Sequence, residues 1–282
     1  MKGTGTSRSA GTVINAMATG KGCAFGIDIR TEAEVVLDDS GSVKARIEGC
    51  PGEPTYLIEL CTRRILDRFG MKELGAEVVT RSQIPISKGL KSSSAASNAV
   101  IKATLRAMDE DMQVMDAIRI GCECSIEAGV SITGAFDDAC ASMLGGVCLT
   151  NNTEYELIKR ERMDDSLVAL IYAPDRMIRK KGLPLAKMKT QSDLIELAYL
   201  LAAHGDYRTA MKLNGIVYAS VLGVDMTVMY EALEKGALTA GMSGSGPSIV
   251  MLAERERAEA LRSSLSVSKD VIVAELYNCD RG

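Results

Sequence analysis

Pro85-Ile86-Ser87-Lys88-Gly89-Leu90-Lys91-Ser92-Ser93-Ser94-Ala95-Ala96 decides how this chain is read. The stretch has the make-up of an anion-binding loop that runs into a helix. Pro85 closes the apolar-edged segment 77–84, and Gly89 allows a backbone turn closed to other residues. Ser92, Ser93 and Ser94 then stand where a helical run, 95–108, begins. Serine is a favoured helix N-cap, and the first four amides of a helix have no partner inside it. Those amides, the positive end of the helix dipole and the Lys91 ammonium together suit polyphosphate. The plainer alternative is an ordinary serine-capped helix after a turn.

Upstream of this loop, Gly-rich turns alternate with β-like runs at 11–18, 23–29, 33–37 and 43–47. Apolar positions 57, 58, 61, 65, 66 and 69 then recur with a helical period that Gly70 closes. The segment 77–84 is the expected strand feeding the serine loop. Downstream, helices are expected at 93–108 and 115–128, the first with Ala95, Ala96, Ala99, Val100 and Ala103 as a close-packing face. A short helix at 137–144 ends at Gly145-Gly146. The polar run 147–165 reads as a boundary between an N-terminal domain, 1–153, and a C-terminal domain, 154–282. The second half is expected to hold a strand at 166–173, a basic loop at 180–189 and helices at 191–204, 206–221 and 225–236. A Ser-Gly turn, a strand at 249–253, a helix at 254–265 and a strand at 271–277 complete it. Strands and helices mix without regular βα alternation, so α+β layers are expected rather than a doubly wound sheet.

With 282 residues, 46% hydrophobic and 25% charged, the chain fits a globular protein of two domains. A net charge of −4 and a pI near 5.3 give no electrostatic reason for a nucleic-acid or anionic membrane partner. Zero Trp and three Phe leave little for base stacking. No apolar run approaches the roughly 20 residues that span a bilayer. The first 22 residues lack the apolar core of a signal peptide, so a cytoplasmic location is expected. The eight cysteines form no CxxC pair and are expected as reduced packing thiols. The single His204 excludes histidine-rich metal sites and is placed at a helix end, away from any nucleophile elbow. Oligomeric state is open, a homo-oligomer included.

Phosphoryl transfer needs a phosphate cradle, a divalent ion with oxygen ligands and a group acting on the attacking hydroxyl. The loop at 85–96 supplies a cradle, and it is not a Walker A loop. Gly20-Lys21 is followed by Gly22 and has Asn15 at the first Gly position of that pattern. Glu127 ends one expected helix and Asp137-Asp138 open the next. Glu127 with a loop serine hydroxyl suits Mg²⁺, which is commonly held by one or two carboxylates plus phosphates. Either aspartate suits an alcohol that must be oriented or deprotonated. The plainer alternatives are a solvated helix residue and a helix N-cap. A third feature, Gly241-Met242-Ser243-Gly244-Ser245-Gly246-Pro247-Ser248, allows backbone to approach another segment or a phosphate closely.

In this order the three features resemble the GHMP kinase superfamily, named for galactokinase, homoserine kinase, mevalonate kinase and phosphomevalonate kinase. Its second motif, Pro-xxx-Gly-Leu-x-Ser-Ser-x-Ala, matches residues 85–95, and its third resembles 241–248. In mevalonate-kinase-like members a Glu metal ligand precedes the catalytic Asp by eleven residues, and 138 − 127 = 11. The resemblance implies Asp138 as the catalytic acid, with Ser93 and Glu127 on Mg²⁺. It implies that Pro85, Ile86, Ser87, Lys88, Gly89, Leu90, Lys91, Ser92, Ser93, Ser94 and Ala95 surround the phosphates of ATP. The implied fold is the α+β, two-domain GHMP-kinase fold, with an N-terminal ribosomal-protein-S5-like domain and a C-terminal ferredoxin-like α/β domain.

Residues 9–35 (SAGTVINAMATGKGCAFGIDIRTEAEV), 89–100 and 132–146 are most similar to the archaeal-type shikimate kinases of this superfamily. That similarity implies ATP-dependent phosphorylation of the 3-hydroxyl of shikimate. One departure stands out. Thr12 occupies the place of the catalytic lysine in the first motif of mevalonate kinase, and Lys21, Lys88 and Lys91 are cations without an assigned task. A carboxylate substrate calls for a basic partner, and Arg8, Lys21 and Lys180 are candidates by charge alone. Homoserine kinase is the nearest rival, through its similarity to SGSGPS at 243–248. A nucleotide-binding regulatory protein without catalysis is the rival of another class, and it would be expected to lack Glu127 or Asp138.

Overall fold

A long hairpin frames the first half of the molecule. The computed structural model describes residues 1–84, 89–175 and 182–279. Strand β1 (Lys2–Ile14) pairs antiparallel with β2 (Lys21–Asp38) along its whole length. The other edge of β2 is shared: Lys21–Phe25 pair with β5 (Val147–Asn151), and Thr31–Asp38 pair with β4 (Gly75–Ser82). Strand β3 (Val43–Ile47) adds parallel to β4, and β6 (Glu156–Glu161) adds antiparallel to β5. The second sheet has the order β10-β7-β9-β8, all antiparallel, from Leu167–Tyr172 (β7), Thr239–Met242 (β8), Ile249–Glu254 (β9) and Val271–Glu275 (β10).

Helices α1 (Tyr56–Arg68), α2 (Ser92–Met108), α3 (Val114–Glu127) and α4 (Phe136–Leu144) belong to the first half. Helices α5 (Leu185–Lys189), α6 (Ser192–Ala203), α7 (Tyr207–Leu222), α8 (Thr227–Glu234) and α9 (Arg255–Ser264) belong to the second. One apolar core runs through both halves, joining Ile14, Phe25 and Leu90 to Leu170, Met211 and Val250. The α+β architecture expected from the sequence is the one observed. Among the described residues, no helix is long and apolar enough to cross a membrane.

The structure corrects several element boundaries. Strand β1 begins at Lys2, not at Gly11, although glycine ordinarily weakens a strand. Helix α2 explains it by lying directly on the strand. A Cβ at Gly5 would collide with the Ala99 carbonyl, and one at Gly3 with the backbone of Ala103 and Ala107. Strand β2 is one strand rather than runs at 23–29 and 33–37, because Asp28 and Arg30 stay in it as an exposed ion-paired cluster with Arg8. The polar run 147–165 is the β5–β6 hairpin of the first sheet, and the 153/154 division falls in its turn. Its polarity reflects an edge strand, β6, with alternating exposure. Residues 185–189 of the expected basic loop are helical, whereas 176–181 lie outside the described residues. Fully buried β8 precedes the Gly/Ser loop and was not expected.

Cys23, Cys61, Cys122, Cys124, Cys140 and Cys148 are buried free thiols, the packing role expected of them. Burial raises the Cys23, Cys122 and Cys140 thiols well above the ordinary thiol range and pushes Cys148 up to about 12. Such thiols carry little thiolate at neutral pH and are poor nucleophiles.

After β10 the chain crosses back to the first half. The Tyr277 amide donates to Gly26 O (2.9 Å), and the Gly146 amide donates to Tyr277 O (2.8 Å). Asn278 bridges Gly145, and the Arg8 guanidinium lies 4.9 Å over the Tyr277 ring. A Cβ at Gly145 would stand 2.5 Å from the Cys279 amide nitrogen, so this strap needs glycine beneath it.

The α2–β1 contact has a direct test. Gly5→Val overfills it, at a cost of about 1–3 kcal/mol, which in a chain of this size lowers Tm by several degrees. Gly52→Ala, where an added Cβ meets nothing within 4 Å, is expected to leave Tm unchanged. Thermal melts of both variants check the pair; an unchanged Tm for Gly5→Val would refute the close approach.

Candidate active site

Three segments converge at the adjoining ends of β1 and β2: the start of α2, the Gly/Ser loop 243–248 and the start of α4. Gly89 has φ 82° and lies so close to the loop that a Cβ would collide with the Ser243 carbonyl. Ser243 Oγ donates to Gly89 O (2.9 Å), and the Gly244 amide donates to Thr12 Oγ1 (2.9 Å). Asn15 Nδ2 donates to Gly244 O (2.8 Å), and Ser9 Oγ donates to Leu90 O (2.8 Å). Strand β1 and the residue just after it thus clamp both loops. The β1–β2 turn is fixed in its own right on α7. The Asn15 amide donates to Asn214 Oδ1 (2.9 Å), and the Tyr218 hydroxyl donates to Asn15 O (3.0 Å) while accepting from the Ala18 amide (2.9 Å).

Helix α2 starts without a side-chain cap and without an acid in its first turn. Lys91 is its N-cap residue, in the left-handed region at φ 65° and ψ 30°. The first helical bond runs from the Ala95 amide to Lys91 O (3.0 Å), so the preceding amides have no partner within the helix. Ser92 and Ser93 are half-buried beside them. This end of a 17-residue helix presents open donors and the positive dipole end, which is the chemistry of a phosphate site.

Helix α4 brings the acids. Asp137 and Asp138 occupy its first turn, and both are buried. Asp138 is paired with Lys91. Both carboxylate oxygens lie 2.8 Å from Nζ, each side chain being only 8% exposed. Only Oδ2 receives a properly directed hydrogen bond, which leaves Oδ1 buried without one. Asp137 has different surroundings. Asn152 Nδ2 donates to its Oδ1 (2.8 Å), Thr150 Oγ1 donates to Asn152 Oδ1 (2.7 Å), and a Cβ at Gly22 would stand 2.6 Å from its carboxyl carbon. Burial first, and the neighbouring Asp138 charge second, push Asp137 up to about 7. Asn98 Nδ2 donates to Ala139 O (3.0 Å) and ties α2 to α4.

The sequence-derived residues therefore divide. Gly89, Leu90, Lys91, Ser92, Ser93, Ser94 and Ala95 form the loop and first turn as expected, and Lys91 reaches Asp138 instead of solvent. Pro85, Ile86, Ser87 and Lys88 lie outside the described residues. Glu127 ends α3 with its exposed carboxylate 2.6 Å from Arg64 of α1. Arg8 is engaged by Asp28 and Tyr277, and Lys21 by Glu196 (2.9 Å) beside the Tyr199 ring; Lys180 lies outside the described residues. Asn15, Thr150, Asn152 and Tyr218 were not anticipated. Their only trace in the sequence is an Asn-Asn pair ending an apolar run and an Asn five residues before Gly20.

Among the described residues, no three His, Cys, Asp or Glu side chains converge as a cage for a metal ion. The Ser93 hydroxyl and Glu127 carboxylate are hard-oxygen donors of the kind Mg²⁺ takes alongside phosphates. The Glu127 carboxylate would have to exchange Arg64 for the ion.

Comparison with known proteins agrees with this geometry. The family described as GHMP kinases N terminal domain matches residues 56–146, and GHMP kinases C terminal matches 191–268. A protein of Methanocella arvoryzae named shikimate kinase is 45% identical over 281 residues, covering 99% of this chain and 95% of its own. A shikimate kinase of Methanosarcina acetivorans is 43% identical over 275 residues, covering 96% and 92%. The crystal structure of homoserine kinase from Cytophaga hutchinsonii superposes with a TM-score of 0.79 at 21% identity, covering 98% and 95%. Both family models and the relatives at 43–45% identity agree, and the chain belongs to the GHMP kinase family of small-molecule kinases.

Proposed function

We propose that this protein transfers the γ-phosphoryl group of ATP to the 3-hydroxyl of shikimate, giving shikimate 3-phosphate and ADP. The observation that carries the reading is the buried Asp138 carboxylate, with Oδ1 free of hydrogen bonds and Lys91 joining it to the start of α2. The relatives at 43–45% identity carry the name of the substrate, and the site carries the chemistry.

Open amides at the start of α2 bind the phosphates. Asp138 Oδ1 accepts the hydrogen bond of the acceptor hydroxyl and takes its proton as the oxygen attacks. The new bond joins that oxygen to the γ-phosphorus, and the bond to the β–γ bridging oxygen breaks, so ADP departs with those electrons. Ser93 and Glu127 would hold Mg²⁺, which when bound neutralises phosphate charge. The low-dielectric surroundings strengthen each of these interactions relative to water. Asp137 sits beside the reacting carboxylate in its own polar pocket, and its environment separates it from Asp138 in role.

A coupled ADP-release assay on shikimate and homoserine tests the substrate. Turnover of shikimate is expected; turnover of homoserine alone would overturn the assignment. Asp138→Asn is expected to lower turnover by at least ~10²-fold, the usual scale for a positioned base, with ATP affinity near that of the parent. Full turnover in Asp138→Asn together with loss in Asp137→Asn would move the role one residue back.

Asp137 also makes stability depend on pH. Its folded value of about 7 lies above its ordinary value of 3.8, so between these the folded state holds a proton that the unfolded chain has lost. That contribution is present below pH 4 and is lost as pH rises through about 7. Asp137→Asn is expected to flatten the fall of Tm between pH 5 and pH 8 relative to the parent. Parallel Tm curves for the two proteins would contradict the buried-carboxyl account.

A further inference from the structure

Lys91 occupies its position at a physical cost. A long side chain in the left-handed region is disfavoured by roughly 1–2 kcal/mol, and Lys91 holds φ 65° where Gly89, two residues earlier, already supplies the turn. Its ammonium is taken out of water, with its side chain 8% exposed, and burying an ion pair is weak evidence for stability. The ammonium also sits at the start of α2, the end of a helix that disfavours positive charge. An apolar residue in its place would avoid the second and third of these penalties. A lysine that is strained, desolvated and at the wrong helix end is explained by what it does to Asp138.

Neighbouring groups show how it is aimed. Gly244 has φ 59°, and a Cβ there would stand 3.2 Å from Lys91 Nζ and 3.2 Å from Gly89 O, so the Gly/Ser loop walls the ammonium in on one side. Thr12 is fully buried, and its hydroxyl oxygen accepts from the Gly244 amide. The cation that reaches Asp138 comes from the N-cap of α2, the residue that also opens the amide cluster.

We propose that Lys91 is a positioning residue for phosphoryl transfer, holding the Asp138 carboxylate by both oxygens, with Oδ2 accepting its hydrogen bond and Oδ1 left to accept that of the acceptor hydroxyl. It acts through Asp138 and couples the carboxylate to the loop that holds the phosphates. The proposal rests on the reading of Asp138 as the base.

The test is a double-mutant cycle on kcat with Lys91→Met, Asp138→Asn and the pair, each assayed on the alcohol the parent phosphorylates. Lys91→Met is expected to lower kcat about 10²-fold, with KM for ATP within about threefold, and to lower Tm, because the Asp138 carboxylate is left buried without its cation. The double variant is expected to be no slower than the slower single, because the two residues act as one unit. Lys91→Arg, which keeps the charge, is expected to recover at least about tenfold of the kcat lost in Lys91→Met. Parental kcat in Lys91→Met, multiplying losses in the double variant, or no recovery in Lys91→Arg would each overturn the proposal. Should Lys91→Met fold poorly, Lys91→Gln takes its place with the same expectations for kcat, the cycle and the arginine rescue. Full activity in Asp138→Asn would instead defeat the base assignment beneath it. A parent inactive on shikimate would defeat only the substrate assignment.

Discussion

The backbone of Gly89 lies against the backbone of Ser243, and everything at the site depends on that approach. The first comes from the loop that opens α2, the second from the loop between β8 and β9, and no side chain fits between them. Carbonyls and amides so brought together must be satisfied, since an unpaired buried group costs more than a hydrogen bond returns. Ser243 Oγ, Thr12 Oγ1 and Asn15 Nδ2 meet that demand from two directions. The two sheets are therefore joined through polar contacts at the point where chemistry occurs, and through a shared apolar core behind it.

Two adjacent carboxylates in one helical turn need different environments if they are to do different work. Asp138 is given a cation and an unoccupied oxygen, Asp137 an amide donor and full burial. Burial and the neighbouring Asp138 charge disfavour charge on Asp137, while Lys91 and the Asn152 hydrogen bond favour it. Lys91 and Asn152 decide how that competition divides. Their placement on opposite elements, the start of α2 and the turn after β5, keeps the two pockets apart.

Local chemistry was legible in the sequence and distant chemistry was not. Gly89 and Ser92–Ser94 announce a turn and a helix start through rules that involve only their neighbours. The acids at 127 and 138 were singled out by the resemblance, whose mevalonate-kinase-like members place a Glu eleven residues before the catalytic Asp. Lys91 had no assigned task in the sequence because its partner lies 47 positions away and only folding brings them together. Gly3 and Gly5 looked like turn residues because the helix that requires them lies near Ala99 and Ala103. The β5–β6 hairpin looked like a linker because an edge strand exposes one face and reads as polar. The Arg64 partner of Glu127 was equally out of reach, being set by how α1 meets α3.

The strap after β10 gives the chain a fixed order of completion during synthesis. Gly145 and Gly146 end the helix that starts with the two acids, and their partners are Tyr277, Asn278 and Cys279. The β1–β2 hairpin, made first, also waits for Tyr277 to reach Gly26. A nascent chain not yet extended to Tyr277 holds every acid and serine of the site but not the residues that close it. Domains generally fold as they emerge, N-terminal part first. Here the earliest strands stay open at one edge until Tyr277 has been made, well after the acids and serines of the site.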